Sequence, residues 1–245
     1  MEERLNMIDT VLFDLDGTLL GMDYKEFEDR YFHLLGSKFK KYCSPEELYK
    51  KVWEATVYMI KSSDGVRLNQ DLFFHKFNQL IREDQKDLFM TGFDEFYEKE
   101  FDMVKDATYR MDNMVRAVNI LKSKGYDVII ATNPLFPKIA IDKRIQWAGF
   151  TLNDFSYVTN FEICKFCKPN PKFYEDILRL NNKKPENCLM VGNDMLEDMI
   201  AKSIGITTYL VTDCILEKEC PYAPDYSSDS AGFLEFVKAL PNCMA

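Results

Sequence analysis

Ile8-Asp9-Thr10-Val11-Leu12-Phe13-Asp14-Leu15-Asp16-Gly17-Thr18 is the stretch whose reading decides the fold. Its apolar part, 8–14, has the length and β-branched content of a strand buried on both faces. The run ends in Asp14 and Asp16, and side chains two apart on extended backbone point to the same side. Gly17 lets the chain turn sharply and leaves its backbone close to a ligand. Two carboxylates this close are mutually unfavourable unless a cation lies between them or one is protonated. Alone, the pair is equally a turn or a helix cap that happens to hold two aspartates.

Four more strand-like runs follow, over 126–132, 155–159, 188–192 and 206–211, joined by stretches of helical periodicity. That alternation predicts a parallel α/β sheet. One helix is predicted over 111–124, with Met111, Met114, Val115, Val118 and Leu121 on one face and Gly125 as its stop. Others are predicted to begin near Pro171 and after Gly192, the latter ending near Gly205. Between the first and second strands the rhythm breaks. Phe27, Tyr31, Leu34 and Leu35 recur at helical spacing, as do Phe73, Phe77, Leu80 and Ile81. Ser44-Pro45-Glu46-Glu47 reads as a capped helix start. The expected architecture is a Rossmann-like, doubly wound parallel α/β sheet with an inserted α-helical cap subdomain. The core takes 1–21 and 106–245, and the cap 22–105. Residues 220–230 are expected to wrap the surface before a last helix over 231–240.

In such a sheet ligands bind beyond the carboxyl ends of the strands. Thr132 and Asn133 end the second strand. Lys168 stands before a helix start, flanked by Pro169 and Pro171, and Gly192-Asn193-Asp194 ends the fourth strand with Asp198 four residues after Asp194. Singly these are a turn residue, a solvated charge and a helix cap.

Together, and in this order, they resemble the signature of the haloacid dehalogenase (HAD) superfamily: D-x-D-G-T, a Ser or Thr, a Lys often followed by Pro, and an acidic pair. The match spans 8 to about 211. The resemblance is to phosphoglycolate-phosphatase-like members with a helical cap between motifs one and two. It implies a Mg²⁺-dependent phosphatase in which Asp14 attacks phosphorus and forms an aspartyl-phosphate. Asp16 would serve as acid and then base. Lys168 and Thr132 would hold the phosphoryl oxygens, with Gly17, Thr18 and Asn133 beside them. Mg²⁺ would be held by Asp14, the carbonyl of Asp16 and Asp194, an all-oxygen shell. Many relatives have Gly-Asp where this chain has Gly192-Asn193-Asp194. Asn193 is therefore the alternative ligand, and Asp198 a second ligand or an outer partner orienting Lys168. A cap in this family closes over the site, excludes water and selects the alcohol. The family also contains sugar phosphomutases, which the motifs permit, and haloacid dehalogenases, which lack the second aspartate. From a different class, a non-catalytic phospho-ligand-binding protein would be expected to lack Asp14 or Lys168, and both are present.

Composition narrows the partners. A net charge of −9 argues against nucleic acid, whose binding depends on Lys and Arg, but leaves room for a small phosphorylated metabolite beside a cation. No apolar run is long enough to span a bilayer. The start, Met1 to Asn6, has neither the basic nor the apolar stretch of a signal peptide, so the cytoplasm is the expected place. Seven cysteines, an odd number, argue against a fully paired framework. Cys164 and Cys167 form a C-x-x-C with no second pair to complete a zinc site, read as ordinary loop or core cysteines or, less simply, a redox switch. The two histidines leave no basis for histidine phosphatases or most zinc hydrolases. Oligomeric state is open.

Overall fold

A computed structural model describes residues 5–243, so the first four residues of the charged start lie outside it. In chain order the elements are β1 (Thr10–Phe13), β2 (Leu20–Met22), α1 (Tyr24–Phe39), α2 (Pro45–Lys61), α3 (Asn69–Phe77), α4 (Lys86–Glu95) and β3 (Thr108–Arg110). They continue with α5 (Asp112–Ser123), β4 (Asp127–Ile130), α6 (Lys138–Trp147), β5 (Tyr157–Val158), α7 (Pro171–Leu180) and β6 (Cys188–Gly192). The last are β7 (Thr207–Val211), β8 (Tyr226–Ser228) and α8 (Ser230–Ala239). Among the described residues one sheet has the order β5-β4-β1-β6-β7-β8, with parallel pairing throughout. This is the expected α/β architecture: β1 is central, completely buried, and the order reverses across it.

Register sets the rim. Phe13 pairs with Ile130 on one side and Val191 on the other. Beyond them, Asp14 N donates to Val191 O at 2.9 Å and Ala131 N to Phe13 O at 2.7 Å. The residues that follow all three strands therefore emerge at one level.

Between β2 and β3 the chain is helical. Ser44 caps α2 by accepting from Glu47 N at 3.2 Å, as its sequence implies. Phe27, Tyr31 and Leu35 face inward from α1, and Phe73 and Phe77 from α3. The periodicity overruns α3: Asn78 ends the helix, so Leu80 and Ile81 lie beyond it, Asn being a weaker helix former than the residues it follows. A π turn, Phe96–Glu100, and a 3₁₀ segment, Phe101–Ala107, lead back to β3.

Three strands were not foreseen. β2 and β3 pair antiparallel where the chain leaves and re-enters the sheet region, and each is only three residues long. β8 extends the edge of the sheet, where a polar Tyr-Ser-Ser run suffices because one flank faces solvent. A further difference follows β6. The expected helix after Gly192 is a turn and then a 3₁₀ segment, Met199–Ile204. Asp194 Oδ1 accepts from Leu196 N and Glu197 N, each at 2.9 Å, and so shapes the first turn itself. No helix among the described residues is long and apolar enough to cross a membrane.

Candidate active site

Each motif arrives at the rim for a local reason. Gly17 sits at φ +82°, the left-handed region, and a Cβ there would lie 2.1 Å from Tyr24 Oη. Gly192 ends β6 where a Cβ would lie 2.1 Å from Asp198 Oδ2, so glycine is what admits that carboxylate. Asn170 and Pro171 start α7, with Asn170 accepting from Lys172 N at 3.1 Å, and thereby hold the end of the Lys168 loop.

The charged groups converge. Lys168 Nζ donates to Asp14 Oδ1 at 2.8 Å and to Asp198 Oδ1 at 2.6 Å. Lys168 and Asp198 are fully buried and Asp14 nearly so. One ammonium thus serves two carboxylates. Burial alone would lower the Lys168 pKa, but Asp14 and Asp198 overcome this and hold it well above its ordinary value. Burial pushes Asp14 well above the usual carboxylate range; Lys168 opposes the rise, and Asp198 and Asp16 add to it. Burial also raises Asp198, against the pull of Lys168. Asp198 Oδ2 accepts from Asp194 N at 2.9 Å, so both its oxygens are committed.

Asn133 locks the lysine loop from the other side. Its Oδ1 accepts from Lys168 N at 3.2 Å, and its Nδ2 donates to Glu197 Oε2 at 2.8 Å. Thr132 is buried and shares one cavity with Asp14, Asp16, Asn133, Asp194 and Asp198. Thr18 is turned elsewhere: its hydroxyl donates to Asn193 Oδ1 at 3.1 Å, and neither it nor Gly17 lines that cavity. Asn193 is wholly buried, with Nδ2 donating to Cys214 O at 2.6 Å and to Tyr24 Oη at 2.8 Å.

Sequence reasoning missed Arg144, Lys218, Tyr24 and Glu197. Arg144, on the inward face of α6 with Ala140, Ile141 and Ile145, forms an ion pair with Asp16 Oδ2 and lies over the Phe136 ring at 4.4 Å. An arginine within an apolar helical stripe was the available signal. Lys218 Nζ lies 2.5 Å from Asp194 Oδ2 and 3.1 Å from Glu197 Oε1. Tyr24 Oη donates to the Asp16 carbonyl at 2.5 Å. Neither Lys218 nor Tyr24 stands in any local pattern. Conversely, Lys38 and Arg67, basic residues of the helical stretch, pair with Glu95 and Glu100 and with Asp64, away from the cavity. Both thiols of the C-x-x-C are buried, which pushes Cys164 up to about 12 and Cys167 higher still and so disfavours the reactive thiolate.

Comparison with known proteins decides the family. The pattern of the haloacid dehalogenase-like hydrolases matches residues 8–204. This chain belongs to the haloacid dehalogenase-like hydrolase family. It is accordingly a hydrolase. It is similar to a glyceraldehyde 3-phosphate phosphatase of Methanothermobacter thermautotrophicus, at 28% identity over 87% of this chain and 89% of that one. It is also similar to pyrophosphatase PpaX of Bacillus cereus, at 23% identity over 91% and 92%. Among solved structures, a HAD phosphatase from Thermococcus onnurineus superposes with a TM-score of 0.61 at 18% identity, covering 96% of this chain and 100% of that one. The L-2-haloacid dehalogenase of Xanthobacter autotrophicus does so with 0.57 at 15%, covering 95% and 99%. Those two likenesses speak for the fold.

The site's donors suit a hard cation in this HAD hydrolase. Asp14, Asp16, Asp194, Glu197 and Asp198 line one cavity, against the cations of Lys168, Lys218 and Arg144. Carboxylates outnumber cations there, since Glu28, Asp94 and Glu162 line the same cavity. Asp16 Oδ1 is buried with no hydrogen-bond partner. Among the described residues no three Asp, Glu, His or Cys side chains converge as a metal site. A backbone oxygen would have to complete an ion's shell here, and the Asp16 carbonyl, to which Tyr24 Oη now donates, is the one at the same turn.

Proposed function

We propose that this hydrolase is a Mg²⁺-dependent phosphatase acting on a small phosphate monoester through an aspartyl-phosphate on Asp14. The observation that carries the reading is Asp14, carboxylate in the cavity and bonded at one oxygen to a buried lysine. Names of relatives add support, since the glyceraldehyde 3-phosphate phosphatase and the pyrophosphatase both act on phosphorylated small molecules.

The oxygen of Asp14 not bonded to Lys168 attacks phosphorus in line, and the bond from phosphorus to the alcohol oxygen breaks. The proton this step needs is carried on Asp16 Oδ1, the oxygen that Arg144 leaves free, and passes to the alcohol oxygen. Water then attacks the aspartyl-phosphate, Asp16 takes the water's proton, and phosphate leaves with the Asp14 carboxylate restored. Lys168 offsets charge at Asp14 and, with Thr132, at the phosphoryl oxygens. Asp198 and Asn133 act through Lys168 by fixing its ammonium and its backbone, and are positioning residues. Asp14, the carbonyl of Asp16 and Asp194 would hold Mg²⁺, which supplies positive charge for the phosphoryl oxygens. Asp194 is preferred to Asn193 because a carboxylate binds Mg²⁺ more strongly than a neutral amide, and Lys218, which holds Asp194 Oδ2, would have to yield that oxygen.

The helices between β2 and β3 act as a cap over residues 22–105, with core 1–21 and 106–245, in this reading. Tyr24 ties its first helix to the Asp16 turn. Cytoplasmic residence is part of the same proposal.

Turnover of a simple monoester should be lost on exhaustive chelation and return with Mg²⁺, scored by phosphate release. Activity that survives a metal-free preparation removes the cation from the scheme. Asp16→Asn should slow hydrolysis most for poorly leaving alcohols, by about 10²–10⁴-fold, and less for p-nitrophenyl phosphate. Equal slowing across a leaving-group series takes Asp16 out of the acid role. A mutase would return the phosphoryl group to a second hydroxyl, which ³¹P product analysis distinguishes from free phosphate.

A further inference from the structure

The cavity above Asp14 is about 400 Å³, the size of a small-molecule site. Its floor is ionic, but its walls are rings. Phe32 and Trp53 come from α1 and α2, Phe73 and Phe74 from α3, and Phe136 and Phe161 from the loops after β4 and β5. Phe73, Phe74 and Phe161 pack mutually at centroid distances of 5.7 Å for Phe73–Phe161, 6.1 Å for Phe74–Phe161 and 5.2 Å for Phe73–Phe74. Trp53 is 51% exposed while lining the same space, so a large apolar side chain is held open to solvent there.

Apart from Arg144, which lies over Phe136 and is paired with Asp16, the charges among these rings are negative. Glu28, Asp94 and Glu162 also line the cavity. Among the described residues, the stretch between β2 and β3 contributes no lysine or arginine to it; Lys38 and Arg67 are spent on their own carboxylates. Arg144 and Lys218 are the lining cations, and each already faces a carboxylate of the floor, Asp16 and Asp194. A second anionic group on the alcohol part of a substrate would meet rings and carboxylates, with no free cation to offset its desolvation. A planar uncharged group would gain ring contacts instead.

We propose, building on the monoesterase reading above, that the substrates are phosphate monoesters of uncharged aromatic alcohols rather than of hydroxyacids or second phosphates. The rings hold the alcohol part, and the floor holds only the phosphoryl group. This sets the chain apart from its pyrophosphatase relative.

The test compares benzyl phosphate with phosphoglycolate, both esters of primary alcohols, in the presence of Mg²⁺. The enzyme should favour benzyl phosphate by about tenfold or more in kcat/KM, with the difference mostly in KM, in keeping with burial of one aromatic ring. Trp53→Ala, at a half-exposed position where folding is not at stake, should raise KM for benzyl phosphate several-fold and narrow the ratio. Thr56→Arg, which places a cation on the cavity wall, should narrow it from the other side by improving phosphoglycolate. Equal use or a preference for phosphoglycolate overturns the aromatic assignment and leaves the monoesterase reading standing. Release of phosphate from neither ester overturns both.

Discussion

Asp14→Asn is expected to lower phosphate release from p-nitrophenyl phosphate by about 10⁴-fold or more, with folding retained. Losses of that size accompany removal of a nucleophile that acts as one unit with its neighbours. Asparagine keeps the side chain's shape and an oxygen for Lys168, which now bonds Asp14 Oδ1 at 2.8 Å. It cannot form the acyl-phosphate, because a neutral amide oxygen is a poor nucleophile. Removing one of three mutually repelling carboxylates, Asp14, Asp16 and Asp198, also relieves charge strain in the unliganded site. Thermal unfolding of the variant should accordingly show no loss of stability. The decisive comparison is single-turnover phosphate release beside an unfolding curve. Undiminished turnover in a folded variant would falsify the aspartyl-phosphate scheme.

Lys168→Met should both abolish activity and destabilise the fold by about 3–5 kcal/mol, the usual cost of stripping one partner from a buried ion pair. Lys168 is 1% exposed and bridges Asp14 and Asp198, so methionine leaves two buried carboxylates without their shared cation. Asp198 then keeps only the bond from Asp194 N. Adding Asp198→Asn to Lys168→Met should recover part of the stability and none of the activity, since it removes a buried charge without restoring the ammonium at Asp14. Urea unfolding of the two singles and the double forms a cycle whose interaction energy reports the pair. Additive changes would mean that Lys168 and Asp198 act independently, contrary to their 2.6 Å contact.

These two expectations rest on residues that are legible as a set in the sequence. The reason lies in parallel sheets. Their strands all end at one rim, so residues just past β1, β4 and β6 are gathered by topology, however far apart they lie in the chain. Asp14, Thr132 and Asp194 need only the strand periodicity and the register that pairs Phe13 with Ile130 and Val191. Lys168 needs a helix start, which Asn170 and Pro171 announce locally. Short pieces fared worse. β2, β3 and β8 are three residues each and carry too little pattern to distinguish from turn, their pairing being fixed by where neighbouring chain happens to run.

By itself, then, the sequence determined the buried central strand, the alternating α/β order, the helical interruption after it, and the acidic rim with its lysine. Those follow from local period, capping and strand termination, which act over a few residues. Tertiary structure alone decided that Arg144 meets Asp16 across 128 residues, that Lys218 meets Asp194, and that Tyr24 covers the Asp16 carbonyl. It decided also that the rings of three separate helices and two loops close one cavity while Lys38 and Arg67 turn away. Contacts of this kind depend on how whole elements pack, and packing energy is summed over many weak apolar contacts that no short run of residues encodes.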